Sequence, residues 1–306
     1  MALRLVAFTE SVTVLEAIEA FLTERDLADG TRHKYRQTLH GLASHLGWDR
    51  PIDTVHGRDL ADFLAASWSG AAPATWNRQR ATLRSFFAYC GRQGWLQEDP
   101  SAATERRREP EDQTRAIPRV ELERLLARRD VPLREKALWR LLFETAARAD
   151  EVLGLDVDDV DLPNRRAVVA GKGGHRELVH FQAAAARSLA RLLAGRRAGP
   201  VFLASRRPAP ARAVAVVDVD PESGRSRLSY RRAEELFKAY SGGRTLHQLR
   251  HSALTELAEA NVSLPLLMAK SRHRSLRSLQ RYARPGPEAV AALTAEMDPA
   301  RRRRSL

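Results

Sequence analysis

The stretch "TERRREPEDQTRAIP", residues 104–118, constrains the fold more than any other part of the chain. It is dense in charge, poor in apolar side chains and closed by Pro118, so it reads as a linker rather than a core-forming element. On either side of it the apolar spacing differs. Residues 12–100 keep a helical spacing throughout, whereas the text after Pro118 mixes helical and alternating patterns. Two domains are therefore expected: a helical one over 10–103 and a mixed one over 119–290, followed by a basic segment, 291–306. The predicted fold class is mainly α with a small antiparallel β-sheet built from hairpins.

Within the first domain, "TVLEAIEAFL" opens with a capping box from Thr13 to Glu16 and continues with Leu15, Ile18, Phe21 and Leu22 at helical spacing. "TRHKYRQTLHGLASHLG" follows, with Thr31 as the expected cap, Tyr35, Leu39, Leu42 and Leu46 as one stripe, and Gly47 as the stop. Two more helices are expected in "HGRDLADFLAASW" and "ATWNRQRATLRSFFAYCGRQGW". Beyond the linker, "ELERLLARR" and "PLREKALWRLLFETAARADEVLGL" read as helices. "RRAVVAGKGGHRELVHF" reads as a β-hairpin turning at Gly-Lys-Gly-Gly. A further hairpin is expected over 211–229, and helical patterns return from Tyr230.

Composition restricts the partners. The formal net charge is +13, carried mostly by arginine, which points to a polyanion and to nucleic acid ahead of a membrane surface. An Ala- and Arg-rich coding bias is the competing explanation. Arg32, His33, Arg36, Arg78, Arg80 and Arg84 lie on the polar sides of the first-domain helices, where a solvated face and a grip on DNA backbone are equally good readings. The single cysteine, Cys90, excludes an internal disulfide and a cysteine-based zinc site and reads as a buried core residue. No apolar run reaches about 18 residues and no leader opens the chain, so a cytoplasmic location is expected.

Several polar residues stand where apolar ones would pack better. Arg148 interrupts the apolar text of "ETAARADEVLGL", with Glu151 three residues on. Taken alone this is an intrahelical ion pair. Lys172 marks the tip of the glycine-rich hairpin, a turn that needs no function to explain it. "HQLRHSALTELAEAN" puts His247, Arg250 and His251 into the first turn of a helix behind Thr245, a good N-cap. His247 and Arg250, three apart, together with the free N–H groups of that turn, make a surface suited to an anion. "SRHRSLRSLQRYARPG" holds His273 and, nine residues on, Tyr282, which by spacing alone is a core tyrosine.

Taken together and in order, these boxes resemble the tyrosine recombinase (phage integrase) family. The matching text is "TAARADEVLGLDVDDVDL", "GKGGHRELVHF", "LHQLRHSALTELAEAN" and "SRHRSLRSLQRYARPG". The resemblance implies a helical, SAM-like core-binding domain ahead of an α+β catalytic domain, and cleavage of DNA through a 3′-phosphotyrosyl intermediate without a metal or other cofactor. It implies Tyr282 as nucleophile, Arg148 and Arg250 as forks on the scissile phosphate, and Lys172 as general acid for the 5′ oxygen. It further implies His247 moving a proton at the tyrosine, His273 bonding the phosphate, and Glu151 orienting Arg148. His251 is then a packing residue. Double-stranded DNA, a tetramer of this chain on paired sites and accessory DNA-bending proteins are the implied partners, with no membrane.

The expected role is a mobile-element or phage-type integrase. A chromosome or plasmid dimer resolvase is the alternative, with a type IB topoisomerase and a non-catalytic DNA-binding protein behind it. Two departures stand out. Ser271-Arg272-His273 stands where many members have Leu-Gly-His, so the glycine that ends the preceding helix is missing, and Arg272 becomes an additional phosphate-contact candidate. The stretch 208–229 is also longer than a minimal member needs, and residues from "PGPEAVAALTAEM" onward are expected to dock on a neighbouring protomer.

Overall fold

The computed structural model describes residues 11–110, 116–171, 174–209 and 214–273, together with 275 and 279. The chain falls into two compact units that divide between Asp112 and Gln113. In the first unit four helices, α1 (Val14–Glu24), α2 (Asp29–Leu46), α3 (Gly57–Trp68) and α4 (Pro73–Arg92), enclose a core that includes Ile18, Phe21, Leu42, Leu60 and Phe86. The Thr13 box forms: Glu16 N donates to Thr13 Oγ1 at 3.2 Å and Thr13 N to Glu16 Oε2 at 2.9 Å. Val14 takes the buried position expected for Leu15, which is 36% exposed. α2 begins two residues before Thr31, with Asp29 supplying negative charge to the first turn and Thr31 N bonded to Ala28 O. Gly47, at φ +99°, stops it.

The expected linker is ordered at both of its ends. Trp76 Nε1 donates to Glu105 O, Arg80 Nε to Thr104 O, and Asn77 bonds both Arg107 and Glu109, so residues 104–109 lie along α4. At the other end Ile117 is buried in the second core, and its N–H donates to Ser252 Oγ at 2.7 Å.

The second unit is built around α6 (Leu133–Thr145), which packs against α8 (Ala183–Leu193), α9 (Tyr230–Ser241) and α10 (Leu246–Glu259), with α5 (Arg119–Ala127) before it. Trp139, fully buried on α6, meets the Phe237 ring of α9 edge-on at 5.1 Å. A three-stranded antiparallel sheet joins β1 (Val160–Asp161), β2 (Arg166–Ala170) and β3 (Arg176–His180) in chain order. Its β2–β3 register pairs Ala170 with Arg176, so the "AGKGGHR" turn does close a hairpin. Ala167, Val169 and Val179 face the core while Leu178 points out, the alternation of a sheet covered on one side.

Two local expectations are corrected. The helix thought to run through Arg148 breaks: Ala146 turns left-handed (φ 52°, ψ 25°), and Arg148, in extended backbone, becomes the N-cap of a short α7 (Ala149–Leu153). Thr145 stabilises the corner, donating through Oγ1 to Leu141 O and accepting from Ala147 N. The hairpin expected over 211–229 is reduced, among the described residues, to single bridges Val219–Ser226 and Leu203–Arg227 and a 3₁₀ turn at Val216–Asp218. Its valines have no face to bury, Val216 being 89% and Val217 75% exposed, while Asp220 and Arg227 tie the loop through ion pairs to Arg196, Asp156 and Asp218. No helix among the described residues is long and apolar enough to cross a membrane.

Candidate active site

Three chain turns bring the polar boxes together. The first is the α6–α7 corner. Glu151, three residues into α7, bends its carboxylate back over the N-cap: Oε2 accepts from Arg148 N at 2.8 Å and Oε1 from Arg148 Nη1 at 2.7 Å. Glu151 is 5% exposed and Arg148 48%, so the carboxylate is an anchor and the guanidinium is available at the surface of the site.

The second turn is the start of α10, where Thr245 N donates to Gln248 Oε1 at 2.8 Å. His247 is exposed in this first turn, His251 is half-buried, and Arg250 is 2% exposed. Burying a guanidinium is tolerated only when its donors are engaged. Arg250 Nη1 donates to Ala146 O at the left-handed corner, and Nη2 to Ser271 O at 2.5 Å and toward His273 Nε2 at 3.4 Å. Arg250 thus joins the Arg148 corner to the histidine loop.

That loop is the third turn. Helix α11 (Leu264–Ser271) ends at Arg272, which is left-handed (φ 55°, ψ 35°) with its N–H on Met268 O at 2.7 Å. The missing glycine is therefore replaced in conformation, at a cost of about 1–2 kcal/mol for a side-chain-bearing residue. Arg272 does not project as a free phosphate contact: its side chain is 8% exposed, bonds Glu151 Oε2 through Nη2, and lies 3.1 Å from Glu177 Oε2 through Nε. Burial pulls its guanidinium below the usual arginine range, while Glu151 and Glu177 oppose the shift. Lys270, two residues earlier, donates to His180 O at 3.0 Å, and burial lowers its ammonium pKa against the pull of Glu144. Glu144, itself pushed up by burial, accepts from Gln182 N just beyond β3.

The structure thus gathers Arg148, Glu151, Arg250, Arg272 and His273 into one linked network, with His247 on the adjoining first turn. Lys172 and Tyr282 lie outside the described residues, as does the segment beyond 279. Among the first-unit candidates, Arg36, Arg78 and Arg84 are exposed, whereas two have structural engagements. Arg32 donates to Leu22 O in the last turn of α1 and to Leu27 O beyond it, and Arg80 to Thr104 O. Sequence reasoning missed Glu177 and Lys270: a half-buried glutamate near the start of a strand and a lysine near a helix end carry no local signal.

Paired arginines beside histidine, preset around an open guanidinium, define a site for a phosphodiester. Residues 115–288 match the phage integrase family and residues 18–94 the N-terminal SAM-like domain of phage integrases. The chain is 32% identical over 280 residues to the tyrosine recombinase XerC of Mycobacterium tuberculosis, covering 82% of this chain and 87% of that protein. It is 28% identical over 300 residues to XerD of Ralstonia nicotianae, covering 93% and 94%. In fold it is similar to the Tn1549 transposon integrase in complex with circular intermediate DNA, with a TM-score of 0.68 at 16% identity over 93% of this chain and 99% of that one. It is also similar to a lambda integrase dimer bound to a core site, with a TM-score of 0.67 at 18% identity over 90% and 78%. The chain belongs to the phage integrase family of tyrosine recombinases, site-specific enzymes that break and rejoin DNA strands through a phosphotyrosine intermediate.

Proposed function

We propose that the chain exchanges strands of duplex DNA at one scissile phosphate held by Arg148 and Arg250, with Tyr282 as nucleophile. The phenol oxygen of Tyr282 attacks phosphorus, the bond from phosphorus to the 5′ oxygen breaks, and a 3′-phosphotyrosyl link and a free 5′-hydroxyl result. Lys172 gives the departing oxygen its proton, and His247 assists removal of the phenol proton. Arg148 and Arg250 neutralise the charge that builds on the non-bridging oxygens, and His273 bonds one of them. One phosphodiester replaces another, so the exchange is reversible.

The observation that carries this reading is the junction at Arg250, whose guanidinium spans Ala146 O beside Arg148 and Ser271 O beside His273. The domain limits 10–103 and 119–290 give the division of labour: the first domain and Arg36, Arg78 and Arg84 grip DNA backbone, the second cuts. A tetramer on paired sites, with accessory DNA-bending proteins, completes the exchange. Of the two roles, similarity to XerC and XerD along both domains favours resolution of dimers over integration of a mobile element.

The test is incubation with nicked suicide duplexes drawn from the DNA flanking the gene. A covalent protein–DNA adduct that is lost in Tyr282→Phe is expected. Adduct persisting in that variant removes Tyr282 from the role.

A further inference from the structure

Arg272 is placed unlike any other arginine of the site. It holds a backbone conformation that favours glycine, is nine-tenths buried, and divides its guanidinium between two carboxylates from different elements. An arginine serving a single carboxylate would lay two nitrogens on it as a fork. Here Nη2 bonds Glu151 and Nε stands in ion-pair contact with Glu177 at 3.1 Å, while neither Nε nor Nη1 has a hydrogen-bond partner among the described residues. The geometry is that of a bridge.

The two ends of the bridge matter. Glu151 holds Arg148 through both its side chain and its backbone N–H. Glu177 stands on β3, where its carboxylate flanks the neck of the hairpin: a Cβ added at Gly171 would lie 3.7 Å from Glu177 Oε2. Gly171 immediately precedes Lys172. The same helix end grips β3 a second time, through Lys270 Nζ on His180 O.

We propose that Arg272 is a positioning residue that pins strand β3 to the Arg148–Glu151 pair, so that the hairpin carrying Lys172 and the loop carrying His273 keep one register. The inference rests on the assignment of Lys172 as the general acid. A β-hairpin fastened to the rest of the fold mainly along one face has a neck free to shift, and a misplacement of about 1 Å in a proton donor costs on the order of a hundredfold in rate. Arg272 removes that freedom.

The test uses the full chain and two variants that spare the fold. Arg272→Gly keeps the left-handed turn without strain, and Glu177→Gln removes charge at a half-exposed carboxylate. Hydrogen exchange on the free protein is expected to accelerate about tenfold or more for the amides of 166–181 in both variants and to stay unchanged in α6 and α10. Unchanged hairpin exchange overturns the proposal. On the duplex that gives the wild-type adduct, each variant is expected to cleave about 10- to 100-fold more slowly. Replacing the scissile 5′ oxygen by sulfur, whose thiolate leaves without a proton, is expected to restore most of that loss. Losses that persist on the sulfur substrate overturn the link to the leaving group. Lys172→Ala on the same pair of substrates isolates the underlying assignment: if sulfur fails to rescue Lys172→Ala, the general acid is misassigned, whatever the hairpin does.

Discussion

Replacing Arg250 by lysine separates the two tasks of this buried cation, because charge survives and the fork does not. Lysine presents one nitrogen, which reaches either Ala146 O or Ser271 O but not both. The carbonyl left over is buried, at a cost of about 1–3 kcal/mol. For a domain of this size that lowers the melting temperature of the catalytic unit by roughly 2–12 °C, taking about 2–4 °C per kcal/mol. Catalysis suffers more. A preset donor aimed at a developing oxyanion is worth about 10²–10³ in rate, and the lysine ammonium cannot bond two oxygens in one plane. Ground-state DNA binding, which depends on the number of positive charges, is expected to stay within about threefold at fixed salt. The assay is single-turnover adduct formation on a nicked duplex, well below the variant's melting temperature, paired with an equilibrium binding curve. Binding lost in proportion to cleavage, or wild-type cleavage by the lysine variant, refutes the assignment of Arg250 to the transition state.

Other outcomes follow from the first unit. Arg32→Ala is expected to destabilise that unit by about 1–2 kcal/mol, because its guanidinium bonds Leu22 O in the last turn of α1 and Leu27 O just beyond it, and to leave the salt dependence of DNA binding unaltered. Exposed Arg36→Ala is expected to do the reverse, reducing the slope of log K against log salt by about one; calorimetric melts and binding titrations at several salt concentrations read both. Burial pushes the Cys90 thiol up to about 12 from its ordinary 9.0, so the native chain should resist alkylation at pH 8 until the first unit unfolds. Since the folded form holds the proton more tightly, this contribution to stability is complete below pH 9 and disappears as pH rises toward 12. Rapid labelling of Cys90 in the native chain at pH 8 would contradict it.

The sequence made the helices and the lysine hairpin legible because each depends on local pattern: the Thr13–Glu16 box, the Gly47 stop, the alternation on either side of Gly-Lys-Gly-Gly. What it concealed was set by partners far along the chain. Arg148 looked like part of one helix because nothing near it announces a left-handed alanine; the break at Ala146 is stabilised by Arg250, 104 residues away. Valine-rich text at 214–219 looked like a strand because β-propensity says nothing about whether a neighbour is waiting, and Val216 and Val217 found none. Arg32 and Arg80 could be read equally as solvated side chains or as DNA ligands, because a guanidinium that bonds a backbone carbonyl and one that grips a phosphate have the same letter.

Arg272 shows why such a site must be read in three dimensions. On sequence it is a lost glycine, a defect at the end of α11, with a spare positive charge. In the fold its backbone is held in a conformation that glycine adopts more readily, capped by its N–H on Met268 O, and its side chain adds contacts with Glu151 and Glu177. Within the joined network three guanidinium groups, of Arg148, Arg250 and Arg272, face two carboxylates, so the cluster carries an excess of positive charge where burial limits screening by water. In the proposed reaction a bound phosphodiester supplies the complementary charge, and the pentacoordinate transition state, more negative still, supplies more of it. Under the mechanism we propose, the carboxylates that fix the arginines in advance set the site for the transition state before any DNA arrives, so the orientation is met in folding rather than in the chemical step.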